Sequence, residues 1–468
     1  MKLKKLSKKD VLTISLFLVV FLLTIPFAKE SIGRFLVIET FVLLYLIIFL
    51  FYRSTFLSFV FLLFLVLPFN ITYQIPIPVE QSMSNGLIVN YLIPTISVLD
   101  LVVGIFLTSV FLQEGLAFFK KVCGKYRLGL IIFFVFLLIQ NVFLQNLLSI
   151  LNSVRLFSYL LAFILILEKF PIKKKVISPT LFSVPILFSV LVQGIIGLKQ
   201  FVRGVSLGWN FLGESQVSTT MLGSSFISLN SGSFLRAYGT FPHPNVLGGF
   251  FLLTFFASLF LFKISKGKKK FIPIITMILS VGFSFLTFSR TVIVLFLLVL
   301  FVLLIKKIFV KKKINSFLPT ILFERFFQGF KEMDNSLVDR RNLIKSSYIV
   351  FKENFLLGTG LGNFVREMGI NAPKTVKGMS LMQPVHNVFL LLLCEFGVFG
   401  FLSFLFLIFD ILRKNIKRVT LFGVLICLVV ISISLVDHYF ISIPQGLIMF
   451  LTMFSLIVFE SKARRLLK

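Results

Sequence analysis

The sequence predicts an all-α fold: a polytopic membrane helix bundle of about 12–14 transmembrane helices with a largely helical external cap. Three observations carry this. Of the 468 residues 57% are hydrophobic and only 14% charged, with a mean hydropathy of +1.02, a balance no ordinary soluble domain has. Lysine and arginine clusters recur between apolar runs, as they do on the cytoplasmic side of multi-span proteins. Polar stretches gather late in the chain, above all at 324–385.

Taken in order, Val11 to Ala28 follows a lysine-rich start and is long enough to be the first membrane helix rather than a cleaved leader. Further helices are expected at 35–51, 55–71, 92–113, 128–145, 147–168, 176–196, 246–263, 271–288 and 291–306, and later at 386–411, 419–436 and 442–459. Basic markers lie at Lys120 to Arg127, Lys173 to Lys175, Lys266 to Lys270, Lys306 to Lys313 and Arg413 to Arg418. Polar segments 72–91, 197–245 and 324–385 fall on the other side. Counting crossings leaves one missing near 307–330, where Ile314 to Phe323, interrupted by Pro319, is expected to be a short or broken helix. In the cap, Arg340 to Glu353 has helical spacing and Gly358, Gly360 and Gly362 break it. The whole of 1–468 reads as one membrane domain.

A net charge of +30 does not point to nucleic acid here, because the cations sit in short inter-span clusters. Cys123, Cys394 and Cys427 give no disulfide framework, and no two-His or Cys/His spacing suits a metal; neither metal nor cofactor is expected. Glu214 and Glu395 are isolated, without the paired carboxylates of a glycosidase.

The candidate chemistry lies in a few polar residues. His386 sits where a polar segment meets an apolar helix, and histidine suits proton transfer near neutral pH. It is either a catalytic base or a helix cap at headgroup level. Arg236, Arg290 and Arg340 stand on the side where arginine is scarce, and a guanidinium fork matches the oxygens of a diphosphate. Arg290 has either an anionic ligand or an intramolecular carboxylate such as Asp100 as partner. His243, between two prolines, shapes its loop or takes part in chemistry, and Asp437-His438 reads as an interfacial cap. Gly358 to Asn363 lacks the lysine of a phosphate-binding loop and reads as a tight turn.

Four stretches together resemble the O-antigen ligase and polymerase family of bacterial envelope glycosyltransferases. They are Arg-Ala-Tyr-Gly-Thr-Phe-Pro-His-Pro-Asn-Val-Leu-Gly-Gly at 236–249, Phe-Ser-Arg-Thr at 288–291, Leu-Leu-Gly-Thr-Gly-Leu-Gly-Asn-Phe at 356–364, and His386-Asn387 with Glu395, Gly397 and Gly400. The resemblance spans about 190–460. It implies transfer of a glycan from an undecaprenyl diphosphate-linked donor to a hydroxyl of a lipid, glycan or protein acceptor, at the outer face of the bacterial cytoplasmic membrane. It also implies that His386 activates the acceptor and that Arg236 and Arg290 grip the diphosphate. Arg340 resembles the family's cap-helix arginine, with adjacent Arg341 leaving the register open, and His243 and Asn387 complete the substrate-binding candidates. Attack opposite the diphosphate would invert the anomeric centre. A flippase of lipid-linked sugars would also need buried arginines, but such transporters carry repeats in their halves, whereas here the polar motifs concentrate in the second half.

Overall fold

The computed structural model describes residues 7–169, 179–221, 223–229, 232–311, 334–374, 378, 380–416 and 418–466. The expected crossing at Ile314 to Phe323 lies outside them. The helices are α1 (Lys8–Glu30), α2 (Ile32–Tyr52), α3 (Thr55–Val66), α4 (Val98–Lys125), α5 (Arg127–Leu144), α6 (Leu147–Lys169) and α7 (Pro179–Arg203). There follow α8 (Pro244–Ile264), α9 (Phe271–Ser284), α10 (Arg290–Lys311), α11 (Asp334–Glu353), α12 (Val388–Asn415), α13 (Leu421–Val436) and α14 (Pro444–Leu466). Nine helices among the described residues are long and apolar enough to cross a membrane, and α3, α10 and α13 add shorter apolar segments. The fold is an all-α polytopic membrane bundle.

Local chemistry sets the helix ends. The sequence reading starts the fourth helix at residue 92, but Pro94 and a two-stranded pairing of Thr72–Gln74 with Thr95–Ser97 hold that stretch extended. The helix starts where Ser97 and Asp100 form a capping box, the Asp100 carboxylate accepting the Ser97 N–H at 2.8 Å. At the opposite ends, cations tie helices together: Lys125 pairs with Glu168 at 2.5 Å, Lys414 donates to the Lys125 carbonyl at 2.7 Å, and Lys263 faces Glu460 at 3.6 Å. The basic ends of α4, α6, α8, α12 and α14 are thereby gathered at one end of the bundle.

The core runs along α8 and α14, each with 83% of its apolar window buried, against 33% for α2, α4 and α5. Lipid is as apolar as phenylalanine, so close packing and interhelical hydrogen bonds hold such helices, not exclusion of water. Both devices are present. Gly249 lets Tyr439 approach so closely that an added Cβ would stand 2.2 Å from its hydroxyl. Two α7 glutamines clasp the backbone that leads into α8: Gln193 Oε1 accepts from Thr240 N–H at 2.9 Å, and Gln200 Oε1 accepts from Tyr238 and Gly239 at 3.0 and 2.8 Å.

At the other end, the cap is composite. Beside α11 and a short helix, Phe364–Met368, its small apolar core takes Val89 and Leu92 from the 72–97 segment. That segment is fixed there by Ser84 Oγ donating to the Val365 carbonyl at 3.1 Å and Arg366 donating to the Gln81 carbonyl at 2.6 Å. The glycine run is a turn, with φ of +72°, +84° and +85° at Gly358, Gly360 and Gly362, where side chains are strained. It wedges into a break in α12 at Gly397, φ +63°, and the amides of Thr359 and Gly360 donate to the carbonyls of Cys394 and Glu395 at 3.0 and 2.9 Å.

Candidate functional site

The end of the bundle opposite the basic clusters carries the N-termini of α8, α10 and α12 and the C-terminus of α13. Each brings one polar group to the same place. At α8, His243 caps the helix: its Nδ1 accepts the Asn245 N–H at 3.2 Å, which leaves Nε2 as the protonated nitrogen facing Ser225 Oγ at 3.2 Å. Burial, then the charge of Arg236, depresses its pKa to about 3. His243 is therefore a neutral cap that fixes the loop holding Arg236.

Arg236 follows the hairpin Phe226–Leu229/Gly232–Leu235. Its Nε donates to the Thr287 carbonyl in the turn that follows α9, and one terminal nitrogen donates to Asn245 Oδ1, both at 2.8 Å. Burial, and after the favourable charge of Tyr238 the repulsion of Arg290, lowers its pKa to about 10, so it stays cationic at neutral pH. Arg290 opens α10 two residues after Phe288, whose φ of +45° makes a sharp turn between α9 and α10. It stands exposed on this face, near enough for its charge to act on Arg236. Asp100, the intramolecular alternative, is engaged elsewhere: Arg155 donates twice to its carboxylate, at 2.8 Å each, and Tyr159 donates once at 2.8 Å.

Asn245 is the hinge of the electrostatics. Its Oδ1 accepts from Arg236 and its Nδ2 donates to Asp437 Oδ2 at 2.9 Å, so one amide joins a cation to a buried carboxylate. Asp437 also accepts the His438 N–H at 2.8 Å. Burial pushes the Asp437 carboxyl up, but the surrounding histidines and Asn245 hold it below the usual range. Asp437 does cap α13, as the sequence suggests, yet both it and His438 are buried at the centre of the site rather than at its rim.

His386 stands one residue before the cap of α12. Asn387 is that cap, its Oδ1 accepting the Leu390 N–H at 3.0 Å and its Nδ2 donating to the Leu435 carbonyl at 3.3 Å. This tie to α13 brings the His386 ring to 5.1 Å from the His438 ring, nearly perpendicular at 82°. Burial, followed by the charges of His438 and Arg340, lowers the His386 pKa to about 4, so its imidazole is neutral at pH 7. Its Nδ1 is buried without a hydrogen-bond partner. On α11, Arg340 is half-buried and its charge reaches Arg236, His386 and His438, whereas Arg341 is exposed.

The structure thus brings Arg236, Arg290, Arg340, His243 and His386 to one face, while the Asn387 side chain serves the helix. Asn245, Asp437, His438, Ser225 and Tyr91 belong to the same cluster and were not singled out for chemistry from the sequence. Asn245 lies inside the 236–249 motif, and Asp437 is a rare acid, one of 18 acidic residues, within a largely apolar stretch. Chemically, this is a cationic face that can hold a polyanion beside a neutral imidazole. Among the described residues no group of three His, Cys, Asp or Glu side chains is arranged to hold a metal ion.

The model of the O-antigen ligase family matches residues 246–405 of the chain. The matched stretch contains Arg290, Arg340 and His386, with Arg236, His243 and Asn245 just before it and Tyr91, Asp437 and His438 elsewhere. No curated protein and no solved structure matches the chain.

Proposed function

We propose that this multi-pass membrane protein of the O-antigen ligase family transfers a glycan from undecaprenyl diphosphate to an acceptor hydroxyl. The observation that carries the proposal is the convergence of neutral His386 with Arg236, Arg290 and Arg340, drawn from four parts of the chain. A sugar diphosphate needs cations to stabilise the charge that grows on its leaving oxygen, and an acceptor hydroxyl needs a base within hydrogen-bond reach. In the proposed step the hydroxyl oxygen attacks the anomeric carbon, its proton passes to His386, and the C–O bond electrons go to the diphosphate held by the arginines. Attack from the side opposite the diphosphate inverts the anomeric centre. The lipid tail would lie among the apolar helices. Basic helix ends at the opposite side of the bundle support a site that faces away from the cytoplasm, by the positive-inside rule.

The test is purified protein with an undecaprenyl diphosphate-linked glycan and an envelope acceptor, comparing wild type with His386→Ala and Arg290→Ala. Release of undecaprenyl diphosphate with sugar transfer, reduced by at least about tenfold in both folded variants, is the expected result. Three inert proteins that nonetheless carry the lipid-linked sugar across vesicles would replace the transferase with a transporter.

A further inference from the structure

One aromatic residue at the site has no part in the chemistry above. Tyr91 comes from the 72–97 segment, outside the stretch that the O-antigen ligase model matches. Its ring stands 6.0 Å from that of His438 at 75°, and His438 in turn lies 5.1 Å from His386. Protein crowds it closely enough that burial, with the Asp437 charge added, pushes its phenol up to about 12. Yet 39% of its surface stays open. With a cavity lined by Tyr91 beside it, that open surface forms one wall of a cleft.

Three features make that wall suited to a sugar. The ring is held in place: Leu92 and Val89 beside it are buried in the cap core, and Ser84 and Gln81 are hydrogen-bonded to the Phe364–Met368 helix region. A ligand therefore meets a pre-set surface and does not bear the entropy of ordering it. A tyrosine ring has an apolar face and a polar tip, which suit the C–H face and the hydroxyls of a pyranose. Next to it lies a cavity of about 50 Å³ lined by Tyr91, Ser442, Asn152, Arg155, Glu395 and Pro384. That is room for a few waters or for one polar exocyclic arm of a sugar, with donors and acceptors on its walls.

We propose that Tyr91 is the stacking platform for the pyranose ring that reacts beside His386, with the adjoining polar cavity receiving an exocyclic substituent of that sugar. The inference rests on the transferase proposed above and adds a subsite to it. It places sugar discrimination partly in the N-terminal third of the chain, away in sequence from Arg236, Arg290 and Arg340.

The experiment uses the full chain with donor lipid and acceptor extracted from the source cells, and compares wild type, Tyr91→Ala and Tyr91→Phe at matched thermal stability. Removing the ring should raise the KM of one sugar substrate by about tenfold or more with kcat changed by less than about threefold, and Tyr91→Phe should recover most of that loss. In parallel, saturation-transfer NMR with the free oligosaccharide released from the same donor by mild acid reads binding without turnover. Wild type should saturate the sugar ring protons and Tyr91→Ala should not. Unchanged KM values in an active enzyme, or equal saturation in both proteins, would reduce Tyr91 to a packing residue. A wild type that binds the oligosaccharide but never transfers it would keep the subsite and remove the transferase.

Discussion

Replacing Asn245 with alanine tests the electrostatic design at its joint. The side chain makes two hydrogen bonds to charged groups, accepting from Arg236 at 2.8 Å and donating to Asp437 at 2.9 Å. Such bonds contribute about 1.5–3 kcal/mol each, so about 3–6 kcal/mol is the ceiling. Two things lower it. Arg236 keeps its bond to the Thr287 carbonyl, and both Arg236 and Asn245 are only half-buried, so water can replace part of what is lost. About 2–3 kcal/mol of interaction in the folded state remains to be lost, and if all of it served to hold Arg236 for the transition state the rate would fall by about 30- to 150-fold, the upper bound. The assay is release of undecaprenyl diphosphate under single-turnover conditions, with a thermal melt as control for folding. A rate within about threefold of wild type at unchanged melting temperature would show that the amide does not hold Arg236 for catalysis.

The proposed base, His386, has to be neutral, and its pKa of about 4 means that kcat/KM should fall only as pH drops through that value. A bound diphosphate offsets the neighbouring cations and raises the imidazole, so the acid limb of kcat should lie at higher pH; coincident limbs would count against a shared anion site. The depressed histidines also act on stability. Above 6.5 they are neutral in both states, but between 6.5 and the folded values of about 4 and about 3 the unfolded chain binds more protons, so the melting temperature should fall as pH drops through this window. Arg340→Gln should slow transfer by at least about tenfold and Arg341→Gln by less than about twofold, measured side by side. Gly362→Ala should lower the melting temperature, because φ is +85° and the new Cβ would stand 2.6 Å from Asn152 Nδ2, a strain of about 1–3 kcal/mol; an unchanged melt would show that the turn can relax.

Most of the bundle is legible in the sequence because lipid imposes a single length on every span and lysine marks one end of each pair. Helices expected at 147–168 and 246–263 form at Leu147–Lys169 and Pro244–Ile264. Boundaries slip where a polar side chain rather than hydropathy decides, as at Ser97 and Asp100. The arginines and His386 stand out because they are the wrong residues for their surroundings. Arg340 and Arg341 could not be separated that way: neighbours on a helix point about 100° apart, and only packing tells which faces inward. Tyr91 looks ordinary in its own stretch, Asn245 is one residue of a longer motif, and Asp437 stands out as an acid but reads only as a helix end. They acquire a role when the 72–97 segment, the start of α8 and the end of α13 meet, and no local pattern encodes that meeting.

The break at Gly397 divides α12 into two members with different allegiances. Below it the helix is continuous with the bundle. Above it, the carbonyls of Cys394 and Glu395 receive the amides of Thr359 and Gly360, and just below it Val398 N–H donates to the Phe355 carbonyl at 2.9 Å. The two turns that carry His386 are therefore spliced to the cap chain as firmly as to their own helix. The 355–360 turn is thus bonded to both halves of α12, and Gln140 of α5 donates to the carbonyls of Leu357 and Glu395, so the chain that leads to the cap is locked to the bundle at the level of the break.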